Sequence, residues 1–574
     1  MKPKSLLATL LAFPAFCMAG VPQITHQACE QSIVRPASND GRYLWLPIQE
    51  DAPEGRVCVV VGNTEMMRQN VRMARERVDY YLALDMKPWL RPEGETSGTV
   101  AGLNVVIQDV PEGCICFKKM EQNNDADFKL IDEPFRPTFH HTPKRGWMND
   151  PNGMFYKDGV WHLYYQYNPY GSMWGNMHWA HSTSTDLINW TAQPIALVPD
   201  TWGAMFSGSC IVDHNNTTGF GKDAVVAMYT AARPTPHGGD IQAQCLAYST
   251  DGGMTFTKYE GNPVLTAPIK DFRDPNMFWN EEINAWNLIL ACGQEMRIYS
   301  SPDMKTWKEE SRFGTGLGSH GGVWECPDLM KVKIADAKGK TPKSKWVLIC
   351  NINPGGINGG SATQYFIGDF DGHKFTVDNE ARYADGKGLW QDYGKDHYAT
   401  VSFSNAPDGR QPMIAWMSNW EYANDVPTKQ YRSANSIVRE PYIYIGADKQ
   451  MYLGSRPSPE YDGKGLDQTL KIKGSCKVIL SNDEGEEYVL TYDQKAMTIT
   501  ADRSKSGKTD FQENFLKAGG KEQAPVVAPV RNKLTSLRIF IDKSSVEVFG
   551  NNGEVAITNL VFPKSPLKNV RIEK

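Results

Sequence analysis

Between residues 180 and 375 the chain repeats one short pattern four times. Ser182-Thr183-Ser184-Thr185-Asp186 leads to Trp190, and Tyr248-Ser249-Thr250-Asp251-Gly252-Gly253 leads to Phe256. Tyr299-Ser300-Ser301-Pro302-Asp303 leads to Trp307, and a looser copy, Gly368-Asp369-Phe370-Asp371-Gly372, leads to Phe375. Each copy is an apolar strand, a polar turn containing an aspartate, then an aromatic residue. Spacings of roughly fifty to seventy residues suit one propeller blade and are too long for one hairpin. Unrelated hairpins would also contain Ser-Asp-Gly turns, but would not put an aromatic residue at the same point of all four. With one unmatched blade added, the pattern predicts about five.

The flanking regions read differently. From Arg42 onward, short apolar-alternating stretches (Tyr43-Leu44-Trp45-Leu46-Pro47, Val57-Cys58-Val59-Val60-Val61, Val78 to Leu84, Val100 to Ile107) are bounded by Pro, Gly, Asn and Asp, as strands are. The polar stretch Glu121 to Asp127 reads as a linker. After Ser455 the repeat stops. Leu537 to Asp542 and Ser545 to Phe549 then alternate with period two before the hairpin-forming Asn551-Asn552-Gly553. A chain of 574 residues exceeds what one core supports. The predicted class is therefore all-β: an N-terminal β-rich domain of unknown role over 20–130, a five-bladed propeller over 135–455, and a C-terminal β-sandwich over 460–574.

Residues 1–19 read as a signal peptide. Lys2 and Lys4 precede the apolar run Leu6 to Phe16, and Met18-Ala19-Gly20 supplies small residues near a cleavage point. Cys17 invites lipidation, but the bulky Phe16 before it favours simple export. No other stretch approaches transmembrane length. Export permits disulfides, yet the cysteines are scattered, with only Cys114 and Cys116 close together. They read as small buried residues, and without a second Cys/His cluster no metal or other cofactor is expected. A net charge of −5 offers nothing for a nucleic-acid backbone. Sixteen Trp and 50 Gly suit tight turns and aromatic sugar platforms, although most tryptophans in any protein simply pack.

Three carboxylates stand in unusual surroundings. Asp150 lies in Trp147-Met148-Asn149-Asp150-Pro151-Asn152-Gly153, ahead of the strand Trp161 to Tyr167. Asn-Asp-Pro-Asn-Gly alone is turn chemistry. A turn feeding a propeller's innermost strand, however, would aim Asp150 into the central funnel. Asp274, in Asp271-Phe272-Arg273-Asp274-Pro275, also reads as half of a structural Arg–Asp pair. Glu325, in Gly322-Val323-Trp324-Glu325-Cys326-Pro327-Asp328, is flanked by groups that would desolvate it and raise its pKa, as a general acid needs. A buried glutamate satisfied by backbone donors is the alternative. Splitting an acetal requires an acid for the departing oxygen and a carboxylate to meet the cationic carbon.

Together these motifs resemble family-32 glycoside hydrolases, the invertase, inulinase and levanase family, from about Phe139 to the C-terminus. Trp147 to Gly153 matches the family's nucleophile motif, Arg273-Asp274-Pro275 its transition-state-stabiliser motif, and Glu325-Cys326 its acid/base motif. Phe206-Ser207-Gly208-Ser209, Asp392-Tyr393-Gly394-Lys395-Asp396 and Trp416-Met417-Ser418-Asn419-Trp420 resemble further family blocks. The resemblance implies a five-bladed propeller, a β-sandwich and a retaining mechanism. Asp150 would be the nucleophile, Glu325 the acid/base, and Asp274 with Arg273 the grip on fructose hydroxyls. Asn149, Gln166, Trp174, Ser207 and Trp390 would line the pocket, with Cys326 a neighbour tuning Glu325.

The stretch Asn168 to Trp179 resembles the exo-acting fructan hydrolases. The implied activity is thus a secreted exo-β-fructosidase releasing fructose from levan, inulin or small fructosides such as sucrose. An endo-levanase of the same fold is the nearest alternative. A non-catalytic fructan-binding protein fits less well because all three acidic motifs are intact. An arabinan-directed furanosidase fits less well again.

Overall fold

The computed structural model describes residues 32–38, 41–90, 99–335, 343–384 and 386–574. The expected signal peptide lies outside the described residues. None of the described helices is long and apolar enough to cross a membrane.

Five antiparallel blades surround a common axis. Their innermost strands are Gly146–Lys157, Ala204–Asp213, Phe272–Asn280, Val323–Lys333 and Tyr398–Ser402. Each lies against the next, and the fifth closes on the first. Blade sheets pack face to face, so the strands near the axis are covered on both sides. That burial explains the continuous apolar run of Ala224–Pro234, whose first nine residues are buried. The outermost strand Thr191–Leu197 is mostly exposed.

The four repeats occupy equivalent places, each joining the third and fourth strands of blades one to four. In each, the aspartate Oδ1 caps the turn. Asp186 accepts the backbone N–H of Ile188 and Asn189, and Asp251 those of Met254 and Thr255. Asp303 accepts from Lys305 and Thr306, and Asp371 from His373 and Lys374. The aromatic residue that follows packs into a core between blades, a different core for each repeat. The repeat is thus a turn whose backbone donors are satisfied by a side chain and whose exit is pinned by a ring.

Beyond the propeller, a four-stranded sheet (Asp467–Lys471, Ser536–Ile541, Ser545–Gly550, Val555–Leu560) packs on a five-stranded one to form the sandwich. The segment Asp392 to Asp396 joins it to the propeller. Asp392 accepts the Thr558 N–H and hydroxyl, Asp396 the Leu560 N–H, and the two receive Arg439 and Arg503 respectively. A side chain at Gly394 would strike the Thr558 carbonyl oxygen at 1.8 Å, so only glycine allows this approach.

Ahead of the propeller, a four-stranded and a three-stranded sheet share a core of Leu44, Leu46, Ile48, Val57, Val59, Leu82, Leu84, Val105 and Ile107. Tyr170, from the first blade, belongs to this same core.

Candidate active site

All five inner strands carry an irregularity at the same end. The register shifts between Met148 and Pro151, Met205 and Gly208, Arg273 and Asn276, Glu325 and Asp328, and Tyr398 and Val401. An extra residue in one strand re-aims its side chains. Here that turns Asp150, Ser207 and Asp274 toward one place. Asp274, Cys326 and Ala399 hold positive φ angles of 64°, 41° and 53°, backbone strain concentrated at the mouth of the ring. Gly153, at φ 57°, lies in a second register shift of the first inner strand, between Asn152 and Phe155; a Cβ there would lie 2.7 Å from the Trp179 ring.

The bulges face a cavity of about 340 Å³. Its lining includes Asn149, Asp150, Gln166, Trp174, Ser207, Arg273, Asp274 and Glu325, eight of the ten residues singled out in the sequence. Phe206, Asp240, Gln242, Asp271, Asn353 and Trp420 complete it. Trp420 stacks on Trp147 with centroids 5.8 Å apart, giving an aromatic wall.

Asp150 is held from three sides. Its Oδ1 accepts from Asn149 Nδ2 at 3.1 Å, and its Oδ2 accepts from the Ser207 hydroxyl at 2.8 Å and the Cys326 thiol at 3.4 Å. Trp147 Nε1 in turn donates to Asn149 Oδ1 at 2.7 Å, orienting the amide. Burial raises the Asp150 pKa, the Glu325 charge adds to that, and the three hydrogen bonds only partly offset it.

Glu325 Oε1 receives Arg273 Nη2 at 2.9 Å and Nε at 3.1 Å, while the Tyr398 hydroxyl donates to its Oε2. Arg273 also donates to Asp271 Oδ1 at 2.7 Å. Burial alone would lower the Arg273 pKa, but Glu325, Asp274 and Asp271 raise it, so its charge is secure. Asp274 accepts the Cys326 backbone N–H at 3.0 Å, and its own N–H donates to Thr230 Oγ1. Burial pushes the Asp274 carboxyl up, Arg273 opposes this, and the charges of Glu325 and Asp150 carry it to about 7.

Two expectations need correction. Trp390 does not line the cavity: it is buried in the fourth blade on a two-residue strand beside Gln364 and Tyr365. Cys326, expected to tune Glu325, lies beneath the floor and serves the other two carboxylates through its thiol and its amide. Its thiol pKa is raised far above the ordinary value by burial, then by the carboxylates around it, so it stays a protonated donor. Sequence reasoning also missed Tyr398, Asp240, Gln242 and Asn353. Asp240 and Gln242 share one face of an alternating strand, a pattern visible in the sequence. Tyr398 has no local signal, because only closure of the ring brings it to Glu325.

Two carboxyl groups facing one cavity are the pair that acetal cleavage demands, and the fold presents them, with a third carboxyl and an arginine beside them, at the axis of a propeller. In this sense the chain is equipped as a glycoside hydrolase. Residues 140–455 match the glycosyl hydrolases family 32 N-terminal domain and residues 457–574 its C-terminal domain. The chain belongs to that family. Residues 29–139 match a domain of unknown function, DUF4980. The levanase of Bacillus subtilis is 42% identical over 484 residues, covering 78% of this chain and 69% of that protein. An extracellular exo-inulinase of Aspergillus niger is 36% identical over 504 residues, covering 77% and 92%. The crystal structure of exo-inulinase from Aspergillus awamori superposes with a TM-score of 0.68 at 34% identity, covering 77% and 96%. A fructofuranosidase from Schwanniomyces occidentalis complexed with fructose gives a TM-score of 0.64 at 32% identity, covering 76% and 97%.

Proposed function

We propose that this chain is an exported, retaining exo-β-fructosidase that removes terminal fructose from β-fructans and small fructosides. Asp150 attacks the anomeric carbon as Glu325 gives its proton to the departing oxygen, so the glycosidic C–O bond breaks while a fructosyl ester forms on Asp150. Glu325 then takes a proton from water, whose oxygen bonds to the same carbon and releases Asp150. Asp274, with its pKa near 7, can both donate to and accept from fructose hydroxyls.

The observation that carries this reading is the convergence of Asp150, Asp274 and Glu325 on one cavity from the first, third and fourth blades. A second feature supports it. Gln166 Nε2 is buried on the cavity wall without a hydrogen-bond partner, a donor left for a ligand hydroxyl. The extracellular relatives and the leader-like first nineteen residues support export. A funnel that narrows toward its catalytic floor favours a chain end, and Trp174 stands at its rim.

The test is a short time course on levan and on inulin with products separated by size. Fructose is expected to dominate from the first time point while polymer length falls slowly. An early ladder of oligosaccharides with free fructose lagging would establish the endo alternative instead.

A further inference from the structure

Residues 169–177 carry Trp174 to the cavity wall, yet Trp174 has few holds of its own. The residue is 45% exposed. Its backbone N–H donates to Asn424 Oδ1 at 3.1 Å, and its ring meets Phe206 edge-on at 6.2 Å. Its position therefore depends on the backbone beside it.

That backbone is gripped by the N-terminal domain at three points. Tyr170 is buried in that domain's apolar core. The Tyr80 hydroxyl lies 2.7 Å from Ser172 Oγ, with both residues buried, and Arg432 reinforces this point by donating to the Ser172 carbonyl oxygen at 2.9 Å while pairing with Glu50. The Asn176 amide then bonds to the main chain of Asn70 on the edge strand Thr64–Val71. It accepts the Asn70 N–H at 3.2 Å and donates to the Asn70 carbonyl at 2.8 Å, as a strand residue would. The grips at 170, 172 and 176 bracket Trp174 from both sides. No described residue of the N-terminal domain is among those lining the cavity.

We infer that the N-terminal domain is a positioning module. By clamping residues 169–177 it holds Trp174 in place before substrate arrives, and so sets how firmly the rim grips the fructan chain end. The inference rests on the proposed β-fructosidase activity and adds a role for a domain whose described residues do not line the cavity. A loosened segment would have to be ordered at each binding event, which weakens binding without slowing the chemistry. The cost should appear in KM rather than kcat.

Two variants of the full chain test this. Asn176→Gly removes the amide while suiting the φ of 45° at that position. Tyr80→Phe removes one buried hydroxyl. Each should raise KM for levan oligosaccharides about 3–10-fold with kcat within about 2-fold, the signature of lost uniform binding. Trp174→Ala should move KM in the same direction and further. Amide hydrogen exchange over residues 169–177 should accelerate in both clamp variants while their melting temperatures stay close to wild type. Fructose release by the wild-type chain tests the underlying activity separately. If the wild type is active but both clamp variants keep its KM, the inference is overturned, whether or not exchange rises. A fall in kcat at constant KM would overturn it equally, because Trp174 placement would then serve the chemical step.

Discussion

The Cys326 thiol donates to Asp150 Oδ2 across 3.4 Å, although 176 positions separate the two residues in the chain. Glu325 precedes Cys326 directly, and the Cys326 amide holds Asp274. One bulged turn of the fourth blade therefore bears on all three carboxylates: it carries one and donates to the other two. Any shift of this turn moves the three together, which is how a ring of separate blades keeps a single arrangement of the three carboxyl groups.

Asp150→Asn is the first consequence to test. An amide cannot form the ester intermediate, so turnover should be almost abolished. Stability should respond the opposite way. An aspartate whose folded pKa is raised costs stability increasingly as pH climbs through and above its ordinary value, because burial disfavours the ionised form. Removing that charge should leave the melting temperature at pH 7 equal to or above that of the wild type. Near-normal activity, or a marked drop in melting temperature, would contradict the assignment.

Glu325→Gln should slow hydrolysis of natural fructosides by about 10²–10⁴-fold, the usual worth of positioned proton transfer. On a fructoside whose leaving group needs no proton the loss should be much smaller. An equal loss on both substrates would give Glu325 another role.

Much of this molecule was legible before folding, for a physical reason. The Ser-Asp turns and their aromatic exits satisfy their hydrogen bonds locally, so sequence spacing reports them directly, as Asp186, Asp251, Asp303 and Asp371 show. The fifth blade has the same spacing, with Asp448 capping the Gln450 N–H and Tyr452 four residues after that aspartate, but its turn from Gly446 to Gln450 lacks the serine lead-in of the first three copies and so escaped the pattern. Asp150, Asp274 and Glu325 stood out because each lies within a motif that makes a bulge. Tyr398 and Asn353 did not, since their places on or beside the cavity follow from ring closure and not from their neighbours in the chain. Trp390 was misplaced for the converse reason. A tryptophan's burial is decided by which face of its strand meets a core, and a strand of two residues carries no readable alternation.

A final prediction concerns stability and lies far from the carboxylates. His140, at the start of the propeller, places Nδ1 2.9 Å from Asp542 Oδ2 and Nε2 2.9 Å from Glu547 Oε1 of the sandwich, with all three side chains essentially inaccessible. Donating at both nitrogens requires the imidazolium. Burial alone would depress the His140 pKa, but the two carboxylates raise it to about 9. Burial likewise opposes ionisation of Asp542, yet the bonds from His140 and from Thr138 hold its carboxyl below the usual range. The signs set a window. The histidine contribution is complete below its unfolded pKa near 6.5 and is lost as pH rises toward 9, whereas the Asp542 contribution is lost only in acid. Between those pH values the loss should amount to about 3 kcal/mol, from a shift of roughly two to three pKa units. The measurement is the melting temperature of wild type and of His140→Gln across pH 5.5 to 9.5. The wild type should be clearly more stable at the acidic end, and its advantage should shrink as pH rises. Parallel curves would mean that His140 is neutral in the folded protein and that the junction between propeller and sandwich is not held by its charge.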